Sequence, residues 1–123
     1  VRTVEPTQST VHGKAEPFSF RVAVADVGGG AYELVSPLSG RSVYLEQLEQ
    51  TGPGFHHTAL VYASLSDVRA AQQMLLREGR EMLQQASRGE AFDFAYFAFP
   101  EIDSAIEVLF LDPKQLPPPD IIS

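Results

Sequence analysis

The chain has 123 residues, 44% hydrophobic and 20% charged, which suits one domain with an ordinary core. Acidic residues outnumber basic ones 16 to 9, leaving a formal charge of −7 and no Lys/Arg cluster, a balance that argues against nucleic acid as a partner. No apolar run approaches the roughly 20 residues of a membrane span, the start lacks the charged-then-apolar pattern of a secretion signal, and the absence of cysteine removes disulfides and thiolate ligands. The location these features favour is the cytoplasm.

In chain order, "VRTVEPTQSTVHGKAEP" is polar with scattered β-branched residues and predicts an edge strand interrupted by Pro6 and Pro17. "FSFRVAVAD" alternates Phe18, Phe20, Val22 and Val24 against Ser19, Arg21 and Ala23, the period of a half-buried strand. Gly28 to Gly30 make a turn into a second strand, "AYELV"; the triplet lacks the strand-to-helix setting of a phosphate loop. "RSVYLEQLEQ" predicts a short helix or an irregular crossing, and "TGPG" ends it before the strand "FHHTALVY".

"SLSDVRAAQQMLLREG" carries the clearest helical spacing, with Leu65, Val68, Ala71, Leu75 and Leu76 on one side. Ser64 followed by Asp67 resembles a capping box, and Gly79 is placed for the left-handed residue that ends a helix. Three strands follow in "REMLQQAS", "FDFAYFAF" and "SAIEVLFLD", and then a Pro-rich extended tail outside the core. The aromatic residues of "FDFAYFAF" are most simply core, with one face free to line a cavity. His12 is isolated and reads as a surface residue.

The chain repeats itself. "FSFRVAVADVGGGAYELV" aligns with "FDFAYFAFPEIDSAIEVL", matching Phe18 with Phe92, Phe20 with Phe94 and Glu33 with Glu107 at a constant separation of 74 positions. Fixed-period similarity signals a supersecondary unit used twice. At that separation the counterpart of His57 falls upstream of Val1. The prediction is an incomplete first module and linker over 1–51, a complete second module over 52–113 and a tail over 114–123. The missing opening strand and helix are expected from residues absent here, a cleaved fragment or a partner subunit, and an unpaired sheet edge predicts a homodimer or a preceding segment.

A strand–helix–three-strand unit used twice, "GFHHTAL" opening the second copy and a glutamate in each last strand ("YELVSP", "IEVLFLD") together resemble the vicinal oxygen chelate superfamily, the glyoxalase, bleomycin-resistance and extradiol-dioxygenase group, and within it methylmalonyl-CoA epimerase. The resemblance covers about Phe18 to Asp112. It implies an α+β fold of paired βαβββ modules curled into a mixed sheet, the first lacking its opening strand and helix. It also implies a divalent metal held by His57, Glu107 and Glu33, with a fourth ligand on the strand this sequence lacks. The implied activity is metal-dependent lyase, isomerase or epimerase chemistry, through a stabilised enolate, on an oxygen-rich small molecule. The alternative within the same resemblance is a metal-free protein that sequesters a small molecule between its modules. The epimerases' carboxylate on the strand before the glycine turn has no counterpart here, since its place falls at or near Arg21.

The residues read alone agree in part. Strand alternation puts His57 with Ala59 and Val61 and puts His56 with Thr58 and Leu60, so one histidine of the two is expected to face a cavity. Glu107 and Glu33 each sit between apolar neighbours, where an unpaired carboxylate is costly unless a cation or donors compensate it. One imidazole with carboxylates suits Zn, Mn, Fe, Co, Ni or Mg. Against this stands the plainer reading of a hydrogen-bonded rim histidine and of glutamates paired with arginine or facing solvent. No nucleophile with a nearby base is evident.

Overall fold

The computed structural model describes residues 1–115, so most of the Pro-rich tail expected over 114–123 lies outside the described residues. The architecture is mixed α and β, mostly sheet with two helices. Strands β1 (Arg2–Val4), β4 (Ser19–Asp26) and β5 (Ala31–Ser39) form a three-stranded sheet in the order β1-β4-β5. The second sheet adds β2 (Gln8–Val11), β3 (Lys14–Ala15), β6 (His57–Val61), β7 (Met82–Arg88), β8 (Phe92–Phe99) and β9 (Ser104–Leu111), in the order β3-β2-β7-β8-β9-β6. It is a mixed sheet, because β6 runs parallel to β9 while the other pairs are antiparallel. Between β5 and β6 lies helix α1 (Val43–Thr51), and between β6 and β7 lies α2 (Leu65–Arg77). Among the described residues, no helix is long and apolar enough to cross a membrane.

The helix ends follow from local chemistry. Ser64 Oγ accepts from the Asp67 N–H at 3.1 Å, and Gly79 takes a φ of +83° just beyond α2, as the sequence predicts. The stretch left open as a helix or an irregular crossing is a regular helix. Its Ser42 Oγ accepts from the Leu45 N–H at 3.2 Å, and Gly52 closes it. The glycine triplet is a turn, in which the Val27 N–H donates to Gly30 O at 3.0 Å.

The N-terminal segment differs most from expectation. In place of one interrupted edge strand it makes three short strands that serve both sheets. Arg2 to Val4 pair with β4, the chain crosses at Glu5 to Thr7, and Gln8 to Val11 pair with β7. Pro6, which has no N–H to give a ladder, stands where the chain changes sheets.

The two hairpins that carry the repeat differ in register. Tyr96 lies opposite Glu107 in β8–β9, and a strict separation of 74 would place Val22 opposite Glu33. Val24 is there instead. A slip of two residues keeps every side chain on its face, whereas a slip of one turns it over, so Glu33 still faces inward.

Two apolar clusters hold the fold, and β8 contributes to both. Phe92, Phe94 and Tyr96 pack with Phe18, Phe20, Tyr44 and Leu109 between the sheets. The alternate residues Ala95 and Phe97 pack with Val108 under Val68, Ala71 and Leu75 of α2. The outer face of the first sheet has no such cover: Tyr32 and Leu34 of β5 are 70% and 73% exposed. Among the described residues β5 pairs with β4 alone.

Candidate metal and ligand site

The inner faces of the two sheets enclose a cavity of about 1120 Å³. Phe20, Val22, Val24 and Glu33 line it from the first sheet, and Phe92, Phe94, Tyr96, Glu107 and Leu109 from the second. Both glutamates expected as ligands therefore look into one space. Glu107 is 4% exposed, in the middle of β9. Its side chain meets His57, whose Nε2 stands 3.4 Å from Glu107 Oε1 and donates to it or presents a lone pair according to the tautomer. The parallel pairing of β6 with β9 produces this contact by setting His57 opposite Ala105 and Ala59 opposite Glu107.

Glu33 retains solvent contact, but protein surrounds its carboxyl on the cavity side. Burial first, and the charge of Glu107 second, push its pKa above the ordinary carboxylate value, while His57 works in the opposite direction. The three expected residues are thus electrically coupled. They are not gathered equally: among the described residues, no three His, Asp or Glu side chains lie close enough to hold an ion as they stand. The structure assembles His57 and Glu107 as a pair and leaves Glu33 as a neighbour on the opposite wall.

One histidine of the two is expected to face the cavity, and neither is among its lining residues. Both rings pack against Tyr96 instead, with centroids 5.5 Å away for His56 and 4.6 Å for His57. The reason is that β6 begins at His57, so His56 lies before the strand and escapes its alternation. The two Nδ1 atoms are 2.9 Å apart, one donating to the other. Burial, and then the neighbouring His57, lower the His56 pKa to about 4, so its ring is neutral at pH 7. If His57 donates from Nδ1, its Nε2 presents a lone pair towards Glu107, the arrangement a cation would relieve.

An aromatic pair absent from the sequence-based site set stands beside the histidines. Tyr44, on the first turn of α1, and Tyr96 are both buried and share a hydrogen bond of 2.8 Å between their hydroxyls. Burial pushes both phenols well above their ordinary pKa, helped by Glu107 for Tyr44 and by Tyr44 for Tyr96. Gln84, opposite Tyr96 on β7, accepts from the Val43 N–H at 2.9 Å, and its Nε2 is buried without a partner among the described residues. The one sequence sign of this layer was Tyr96 in an aromatic strand; nothing local marks Tyr44 or Gln84 as its neighbours.

The donor pair fits a divalent ion in kind and spacing. Imidazole nitrogen and carboxylate oxygen are ordinary ligands, and two donors about 2.1 Å from a tetrahedral ion stand about 3.4 Å from each other. A buried carboxylate is costly unless compensated, and either an Nε2–H of His57 or an ion between the two side chains would compensate Glu107. His12 is exposed, as expected of a surface residue, with its Nε2 2.9 Å from Glu46 Oε1. No protein-family model matches the sequence, and no curated protein matches it either.

Proposed function

We propose that this chain is a metal-dependent protein of the vicinal oxygen chelate type, acting on an oxygen-rich small molecule held between two modules. The observation that carries the reading is Glu107: a buried carboxylate 3.4 Å from an imidazole nitrogen, on the wall of a cavity that also contains Glu33. The order β6-α2-β7-β8-β9, with β6 parallel to β9, supports a complete βαβββ module, and β4–β5 supports the end of a second. We place the protein in the cytoplasm on its cysteine-free composition.

His57 and Glu107 would hold the ion, and Glu33, expected as a third ligand, stands as a neighbour on the opposite wall. A divalent ion supplies Lewis acidity that lowers the pKa of a C–H bond beside a carbonyl. The chain's own residues do the rest. Phe20, Phe94 and Leu109 exclude water and orient an apolar part of the substrate. Glu33, with its carboxyl raised by burial, is suited to hold and return a proton. Phe20, Val22 and Val24 of β4 line the cavity, while Arg21 alternates to the outer face and Asp26, the strand's one acid, stands at its far end outside the lining. No acid of β4 lines the cavity, which favours lyase or isomerase chemistry over two-base epimerisation.

Metal analysis of native protein tests the reading. Stoichiometric metal that is lost in His57→Ala and in Glu107→Gln supports it. Metal-free protein that saturates with an aromatic ligand supports the second reading, a sequestering protein, which the apolar walls of the cavity favour. The open edge of β5 and the exposed Tyr32 and Leu34 beside it further support a partner strand and helix, from a second copy or a preceding segment. Sedimentation as a 13.5 kDa monomer of intact mass equal to this chain would contradict that assembly.

A further inference from the structure

We infer that the cavity takes an elongated anion, with an apolar or aromatic body and an acidic group held by Arg2, Arg88 and Lys114 at the end remote from Glu107. The inference rests on the cavity's being a ligand site but not on its holding a metal.

The inner face of the second sheet is ordered along its strands. At one end Gln84, Tyr96 and Glu107 lie in one row, and at the other Arg88, Phe92 and Leu111 lie in another. Four residues of β8 separate the rows, about 13 Å at a strand's rise. Phe94 and Leu109 fill the row between. Arg2 pairs with Val22 and therefore shares the inward face of the first sheet. Lys114, just past β9, joins the same wall.

These cations are available in a way others in the molecule are not. Arg41, Arg69 and Arg80 each have a carboxylate within ion-pair distance. Among the described residues Arg2, Arg88 and Lys114 have none that close; Arg88 instead donates to the backbone carbonyl of Glu5 at 2.7 Å. Two acids lie near them. Glu5 lines the same end of the cavity, and Asp112 feels Lys114, but its oxygens already accept from the Gln115 side chain at 2.8 Å and the Lys114 N–H at 3.0 Å. In a chain of charge −7, Arg88 and Lys114 at the end of the second sheet remote from Glu107, Arg2 on the facing sheet, and two carboxylates further in define a direction for a bound anion.

Two naphthalene dyes of the same shape test this: the sulfonate 8-anilinonaphthalene-1-sulfonate and its uncharged parent N-phenyl-1-naphthylamine. The expected result is saturable binding of the sulfonate, about tenfold tighter than the neutral dye at low salt and weakening as salt is added. Arg2→Gln with Lys114→Gln should weaken the sulfonate roughly fivefold and leave the neutral dye unchanged. Lys14→Gln with Arg77→Gln, which changes charges outside the cavity lining, should alter neither dye. If circular dichroism shows the first double variant unfolded, Lys114→Gln alone replaces it, with an expected loss of about twofold. Equal affinity for the two dyes, or an equal loss of both in the variant, overturns the inference. Repeating the titrations on His57→Ala separates the two proposals: a sulfonate preference that persists without bound metal supports this inference whatever the metal analysis shows, and a preference that disappears there overturns it.

Discussion

Two buried carboxylates in adjacent strands have opposite surroundings. Asp93 of β8 is 3% exposed and faces α2, where its oxygens accept from Gln72 Nε2 at 2.9 Å, Gln85 Nε2 at 3.1 Å and Arg69 Nε at 3.2 Å. Glu107 of β9 is equally buried, faces the cavity and meets one histidine, at 3.4 Å. Burying a charge is costly in both places, and three donors compensate the first where a single imidazole stands beside the second.

The comparison is broken most severely by Asp93→Ala. It orphans Gln72 and Gln85 and releases Arg69, so thermal unfolding should show a loss of about 3 kcal/mol, or roughly 10 °C in Tm. A cost below about 1 kcal/mol would mean that the network is ornamental. Acid should act next. His56 is held neutral with its pKa at about 4, below the ordinary 6.5, so between those values the unfolded chain binds the extra proton. Stability therefore falls as pH drops from 6.5 towards 4, by on the order of 1 kcal/mol after allowing for solvent screening, and His56→Asn should flatten that slope in urea titrations.

Tyr44→Phe removes the shared hydroxyl bond and leaves Tyr96 with a buried unpaired O–H, at a cost of about 1 kcal/mol. It also tests the alkaline side. Raised phenol pKa values mean the unfolded chain loses its protons first, so stability should decline above about pH 10 in the wild type. Ultraviolet absorbance should show Tyr44 and Tyr96 ionising only with unfolding. The smallest effect is expected at Glu107→Gln. Its calorimetric stability without metal should stay within about 1 kcal/mol of wild type, because a single imidazole contact is altered, and any metal-dependent gain in Tm given by the proposed site should vanish. A large destabilisation without metal would return Glu107 to the same class as Asp93.

Local pattern revealed what is local. The alternation of "FSFRVAVAD", the three- and four-residue spacing of α2 and the cap at Ser64 each depend on neighbours in sequence; strand, helix and cap are there, but Val24, read on the buried side, is 61% exposed and Leu76, read on the apolar side of α2, is 41% exposed. The pairing of β2 with β7 joins residues more than 70 positions apart, and no local signal announces it. The Asp93 network was within reach: an acid alone in an aromatic strand, with Arg69 and Gln72 one helical turn apart, is a recognisable combination. His57 and Glu107 were legible as a pair because a repeat marked the glutamate and a strand start marked the histidine. Glu33 was legible in its facing, since parity survives the slip, but its reach was not, because a two-residue offset moves a side chain about 6.7 Å along a strand.

The crossing at Glu5 to Thr7 makes the first eleven residues a common seam. One half of the seam is laddered to β4 and the other to β7, so the walls of the cavity cannot draw apart without stripping hydrogen bonds from one half. The seam thus adds backbone hydrogen bonds to the aromatic packing of Phe18, Phe20 and Tyr44 on Phe92, Phe94 and Tyr96 that already ties the two sheets together.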